Sequence, residues 1–229
     1  MIYKKSWKYI LKYTQGPLNR IKAVKDFSNV SKDDIGGYVS GYHSLSQSGD
    51  CWVYDCAKVC EFAKVTGNAR VVGNVRIFND AIITDNAQIS ENAELYDEVI
   101  VSGNAIVSED AMICDEAQIF DNAQVSGNVI ISEKAQVYGN AKVSGNSRVC
   151  NNAHVYDNAE VCENAKITAC TEVYGNAKVS GNAYISENAK VYDNAIVYES
   201  AEISGDAIVK DNAIIRGSAK ISGNTCCDR

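Results

Sequence analysis

Ala141-Lys142-Val143-Ser144-Gly145-Asn146 and Ala177-Lys178-Val179-Ser180-Gly181-Asn182 are one six-residue phrase, written twice 36 residues apart. Working outward in steps of six, every position from Val53 to Ile221 is Val, Ile or Leu: 29 positions with no hexad lengthened or interrupted. Two residues before each of these, from Ala57 onward, stands Ala, with Val75, Val99, Val129, Ser147 and Thr171 as variants. Ahead of that position Asn is the usual residue, preceded by Gly, Asp or Glu. A fixed internal period sets the architecture, so it is read before any other signal.

The period has a direct physical meaning. Residues two apart on a strand point to the same side, so the small and the β-branched position fill one narrow interior. The Gly/Asp/Glu-Asn pair supplies a corner, because Asn and Gly tolerate left-handed backbone angles. Six residues make one flat side, and three sides close a triangular coil of 18. This is an all-β fold, a parallel β-helix of hexapeptide repeats. Stacked at about 4.8 Å per coil, the repeats build a prism on the order of 45 Å tall. The only proline, Pro17, lies outside the repeats, as continuous strand pairing requires.

If 18 residues make a coil, residues 18 apart stack. At the outward position after the Val/Ile site, Phe120, Tyr138, Tyr156, Tyr174 and Tyr192 stand 18 apart. The equivalent runs on the other two sides are Ser90, Ser108, Ser126, Ser144, Cys162, Ser180 and Tyr96, Cys114, Ser132, Cys150, Thr168, Ser186. One face of three therefore carries an aromatic column. Such a stripe marks an interaction surface, or a ladder that stabilises its own stack.

Residues 1–48 lack the hexad and are assigned to an N-terminal cap, with the β-helix at 49–229. Trp7 to Leu11 and Ile21 to Phe27 read as strands around a Gly16-Pro17 turn. Solenoid ends expose unpaired edges, so capping is the expected role of this head. The hexads over roughly residues 50–225 resemble left-handed β-helix proteins, and the left hand is what that resemblance implies. The order Asp26-Phe27, Gly36-Gly37, Leu45-Ser46-Gln47 and Gly49-Asp50-Cys51-Trp52 ahead of the hexads resembles the YdcK-type hexapeptide-repeat proteins of bacteria. Those belong to the hexapeptide acyltransferase-like superfamily, for which transferase is the suggested activity. The resemblance implies trimers, acyl-CoA bound between prisms and a His general base.

The net charge is −7, unevenly spread. Residues 1–25 hold Lys4, Lys5, Lys8, Lys12, Arg20, Lys22 and Lys25 and no acid, which leaves 15 basic against 29 acidic side chains elsewhere. An acidic body repels nucleic acid directly, yet it could attract a basic partner surface. No apolar run is long enough for a membrane span and no signal peptide opens the chain. Nine irregularly spaced Cys, without a C-x-x-C pair, read as reduced thiols in a cytoplasmic protein. They form no zinc pattern, and the acidic corners lack the nonapeptide calcium arrangement, so no metal site is expected.

His43 and His154 are the two histidines. His43 falls in the cap. His154 stands between Gln136 and Glu172 in the 18-residue stack, so an acyltransferase would use His154 oriented by Glu172. No loop interrupts the hexads to form a concave pocket, which argues against an enzyme. The expected function is a non-catalytic, rigid scaffold for protein binding or self-assembly. It would work through Phe120, Tyr138, Tyr156, Tyr174 and Tyr192 as a homo-oligomer, with a trimer among the candidates and no cofactor. The alternatives are an acyl-CoA-dependent acyltransferase, and an acidic inhibitor or nucleic-acid mimic from a phage or mobile element.

Overall fold

The computed structural model describes residues 7–228. Three strands open it: β1 (Tyr9–Lys12), β2 (Asn19–Ala23) and β3 (Ile35–Val39). β1 pairs antiparallel with β2, and β2 with β3. From Trp52–Val53 to Cys226–Cys227 every further strand is a two-residue rung, and no helix is present among the described residues. The rungs form three parallel stacks of ten, and β1, β2 and β3 extend one of them into a 13-stranded sheet. Each rung inside the stack pairs with those 18 residues before and after it; Gln136–Val137, for example, lies on His154–Val155. The result is a β-solenoid of about 11 turns.

The interior is the pattern of the sequence made solid. Ala135, Val137, Ala141 and Val143, like their counterparts in other coils, are sealed from solvent. Ser147 and Thr171 occupy Ala positions in that core, and their hydroxyls donate to the carbonyls of Ser144 (2.8 Å) and Thr168 (2.7 Å). A buried hydroxyl with a partner avoids the desolvation cost it would otherwise impose.

The corners differ from the sequence expectation in one respect. The left-handed residue is the first of the pair (Gly139, Asp157 and Glu163 have φ of 68°, 57° and 61°), and the Asn that follows is not left-handed. At several of these corners the acid in this costly conformation also reaches the next coil with its carboxylate. Asp157 accepts from the Gly175 N–H at 3.2 Å, and Glu163 from the Gly181 N–H at 2.7 Å. The Asn side chains do separate work: Asn122, Asn140, Asn158 and Asn176 pass amide hydrogen bonds up the stack at 3.1–3.3 Å. Part of the acidic charge therefore binds backbone N–H groups at corners.

The first coil starts inside the segment assigned to the cap. Tyr38–Val39 lies on Lys58–Val59, Leu45 bridges to Val65, and Trp52–Val53 lies on Arg70–Val71. The antiparallel strands thus extend a solenoid sheet. The free edge of β1 is closed by side chains: Gln47 Oε1 accepts from the Lys8 N–H (2.7 Å) while its Nε2 donates to the Tyr9 carbonyl (3.1 Å). Leu11 N–H donates to the Tyr42 hydroxyl. Edges blunted in this way do not recruit stray strands.

Most of the described basic residues of the head are engaged locally. Lys8 is buried, and its ammonium donates to the carbonyls of Gly49 and Cys51 and stands 5.0 Å from the Phe27 ring centre. Arg20 donates to the Gly36 carbonyl and covers Tyr38, and Lys22 pairs with Asp33 at 2.6 Å. Lys4 and Lys5 lie outside the described residues.

Candidate functional site

The aromatic column sits on the sheet whose rungs include Gln118–Ile119, Gln136–Val137, His154–Val155, Glu172–Val173 and Lys190–Val191. Each ring is the residue that follows a rung, so parallel in-register pairing sets it above the ring 18 residues earlier. Successive centroids from Phe120 to Tyr192 are 4.7, 4.9, 4.8 and 4.7 Å apart, with interplanar angles of 4°, 1°, 4° and 7°. All five rings are half-buried: their faces cover one another and their edges meet solvent. Below the column the same position holds Thr66, Thr84 and Ser102; above it stands Lys210.

Polar groups along the column are tied into it. Tyr156 donates its phenol hydrogen to Glu172 at 3.0 Å, and Lys190 pairs with the same carboxylate at 2.8 Å. The Lys190 ammonium holds Glu172 below the usual carboxylate range, with help from the Tyr156 hydrogen bond. Partial burial in the stack pushes the Tyr138, Tyr156 and Tyr174 phenols up, reinforced at Tyr156 by Glu172. Near neutral pH Tyr138, Tyr156 and Tyr174 are therefore uncharged beside an ionised, doubly engaged carboxylate.

His154 lies where the 18-residue spacing put it, in register between Gln136 and Glu172. Its ring meets Tyr138 edge-on, 6.3 Å between centroids at 88°. The hydrogen bonds of Glu172 run to Tyr156 and Lys190, so no bond from Glu172 orients the imidazole among the described residues. Hollows of about 380, 340 and 520 Å³ occur along the solenoid, and His154 lines none of these three. His43 is in the head, where Nε2 meets the Glu61 carbonyl at 2.7 Å.

Two further features escaped the linear reading. Phe78 and Tyr96 form a second stack on a neighbouring sheet, 5.4 Å apart and 8° from parallel. Their 18-residue separation was the available signal. The Tyr156–Glu172 bond joins neighbouring coils across a separation of 16, one that no simple column reveals. Among the described residues no group of three or more His, Cys, Asp or Glu could hold a metal ion, and no helix is long and apolar enough to cross a membrane.

The YdcK beta solenoid repeat model matches residues 117–133 and 135–151, the stretches that carry Phe120 and Tyr138. No curated protein matches the chain.

Proposed function

We propose that this chain, a YdcK-type β-solenoid repeat protein, is a rigid self-associating scaffold whose contact face is the aromatic sheet. The observation that carries this reading is the unbroken stack from Phe120 to Tyr192, five half-exposed rings on one side of the prism. Internal stabilisation alone needs no particular length of column. A contiguous aromatic stripe with its edges in water is the composition found at interface centres.

The partner that fits best is a second copy. A surface whose side chains repeat at the coil rise is matched by another surface with the same rise, and closed homo-oligomers are the common outcome of such self-complementarity. The area is adequate. Ten rungs at about 4.8 Å and a side about 18 Å wide give roughly 850 Å² per partner, close to the standard interface.

The experiment is Tyr156→Ala combined with Tyr174→Ala, followed by light scattering. The expected result is a lower oligomer mass with an unchanged circular dichroism spectrum. An unchanged mass removes this face from self-association. Calorimetry with acetyl-CoA is expected to give no binding heat; binding that disappears in His154→Ala would replace the scaffold reading with acyl transfer.

A further inference from the structure

The aromatic column also has the geometry of an oxidative cross-linking site. We propose that Tyr138, Tyr156, Tyr174 and Tyr192 couple within one chain to dityrosine when a peroxidase-type, one-electron oxidant and hydrogen peroxide are supplied. The coupling staples adjacent coils together.

Three observations carry the proposal. First, the four phenols are consecutive neighbours, held at 4.7–4.9 Å between centroids and within 7° of parallel. Radical coupling is normally limited by encounter of two short-lived phenoxyls; here each tyrosine has another as a permanent neighbour. Second, all four tyrosines are only half-buried, so the column is within reach of an oxidant. Third, Tyr156 already donates to Glu172 at 3.0 Å, so the proton released when that phenol loses an electron has an acceptor in place.

The step balances. Each of two phenols gives up one electron and one proton. The two phenoxyl radicals join through a carbon–carbon bond between ring carbons ortho to oxygen. The hydrogens on those carbons then move to the oxygens as the rings regain aromaticity, a net loss of two hydrogens. Hydrogen peroxide takes up the two electrons and two protons and leaves as two waters.

Among the described residues the other tyrosines lack this arrangement. Tyr96 stacks on Phe78, which cannot couple in this way. Tyr9 lies 5.8 Å from Tyr42 but is sealed in the core, with its hydroxyl donating to the Leu45 carbonyl.

The test is treatment of the dilute full-length protein with horseradish peroxidase and hydrogen peroxide. The readouts are dityrosine fluorescence, a denaturing gel and peptide mapping. The expected product migrates as a single chain, is lighter by two hydrogens per link, and maps to pairs 18 residues apart in the column. Tyr156→Phe with Tyr192→Phe keeps the stack but leaves Tyr138 and Tyr174 without a tyrosine neighbour. That variant should keep its circular dichroism spectrum and lose the intrachain fluorescence at least tenfold. Unchanged fluorescence in the double variant would overturn the proposal. So would links found only between chains or only through Tyr13 or Tyr42, or the absence of dityrosine in the unmodified sequence. Self-association through this face would shield the column, so the reaction is run below the concentration at which light scattering detects association, and there this proposal and the scaffold reading fail separately.

Discussion

The head and the solenoid body hold together in opposite ways. In the body, a coil meets only its neighbours, through contacts repeated every 18 residues: an Ala and a Val or Ile inside, a corner hydrogen bond outside. In the head, single residues reach across about 40 positions. Lys8 contacts Gly49 and Cys51, Tyr9 donates to Leu45, and Trp52 packs against both Tyr9 and Phe27. A repeated contact is individually replaceable, because stability is close to a sum over neighbouring repeats. A unique contact is not, because no second copy of it exists elsewhere in the chain.

The largest expected effect lies where the head meets the first coil. Trp52 is 2% exposed and joins the antiparallel strands to the first coil. Trp52→Ala should cost about 3–5 kcal/mol, seen as a lower denaturation midpoint with loss of structure starting at the N-terminal end by hydrogen exchange. A smaller loss, confined to one coil, would make the head just another repeat.

Next comes Gly103, at a corner with φ of 66°. An added Cβ there would lie 2.7 Å from the Asp121 backbone nitrogen. Gly103→Ala should cost about 2–4 kcal/mol from left-handed strain and the clash with the coil above. Exchange protection should fall locally while the head stays protected.

Asp157 tests the reason acids stand at left-handed corners. Asp157→Ala keeps the strained backbone and removes the acceptor for Gly175, and should cost about 1 kcal/mol by thermal unfolding. Asp157→Gly loses the same bond but relieves the strain, and should come within about 0.5 kcal/mol of the parent. If Ala and Gly are equal, backbone strain is not what the carboxylate offsets.

The smallest effect is in pH dependence. The Tyr138, Tyr156 and Tyr174 phenols titrate higher when folded than their ordinary 10.0. The folded state therefore holds more protons above that value, and its stability falls as pH rises past it. Tyr156→Phe should make the alkaline fall in melting temperature shallower. In the head, Lys8 works in the other direction: burial lowers it below 10.5, so its contribution improves as pH rises toward that value. Lys8→Met should remove this rise.

Much of the molecule could be read from spacing. The step of six found the core positions, and the step of 18 found the aromatic column and placed His154 between Gln136 and Glu172. Both rest on periodicity, which linear text preserves. Less could be read of the partners chosen within a column. Glu172 had two neighbours that could use its carboxylate besides His154, and distance gave it to Tyr156 and Lys190. The acidic balance suggested a surface for partners, yet corner carboxylates such as Asp157 and Glu163 are bonded to backbone N–H groups.

By itself the sequence determined the β-solenoid, its triangular coil and the face that carries the rings. A hexad with one apolar and one small inward site has only one compact way to bury both, and in-register stacking does the rest. Only the tertiary structure decided which corner residue turns left-handed, where the first coil begins, and how the head closes the edge of β1. Those outcomes depend on hydrogen bonds between residues 18 to 41 apart whose side chains could each have chosen another partner. Geometry in three dimensions, and not residue type, made the choice.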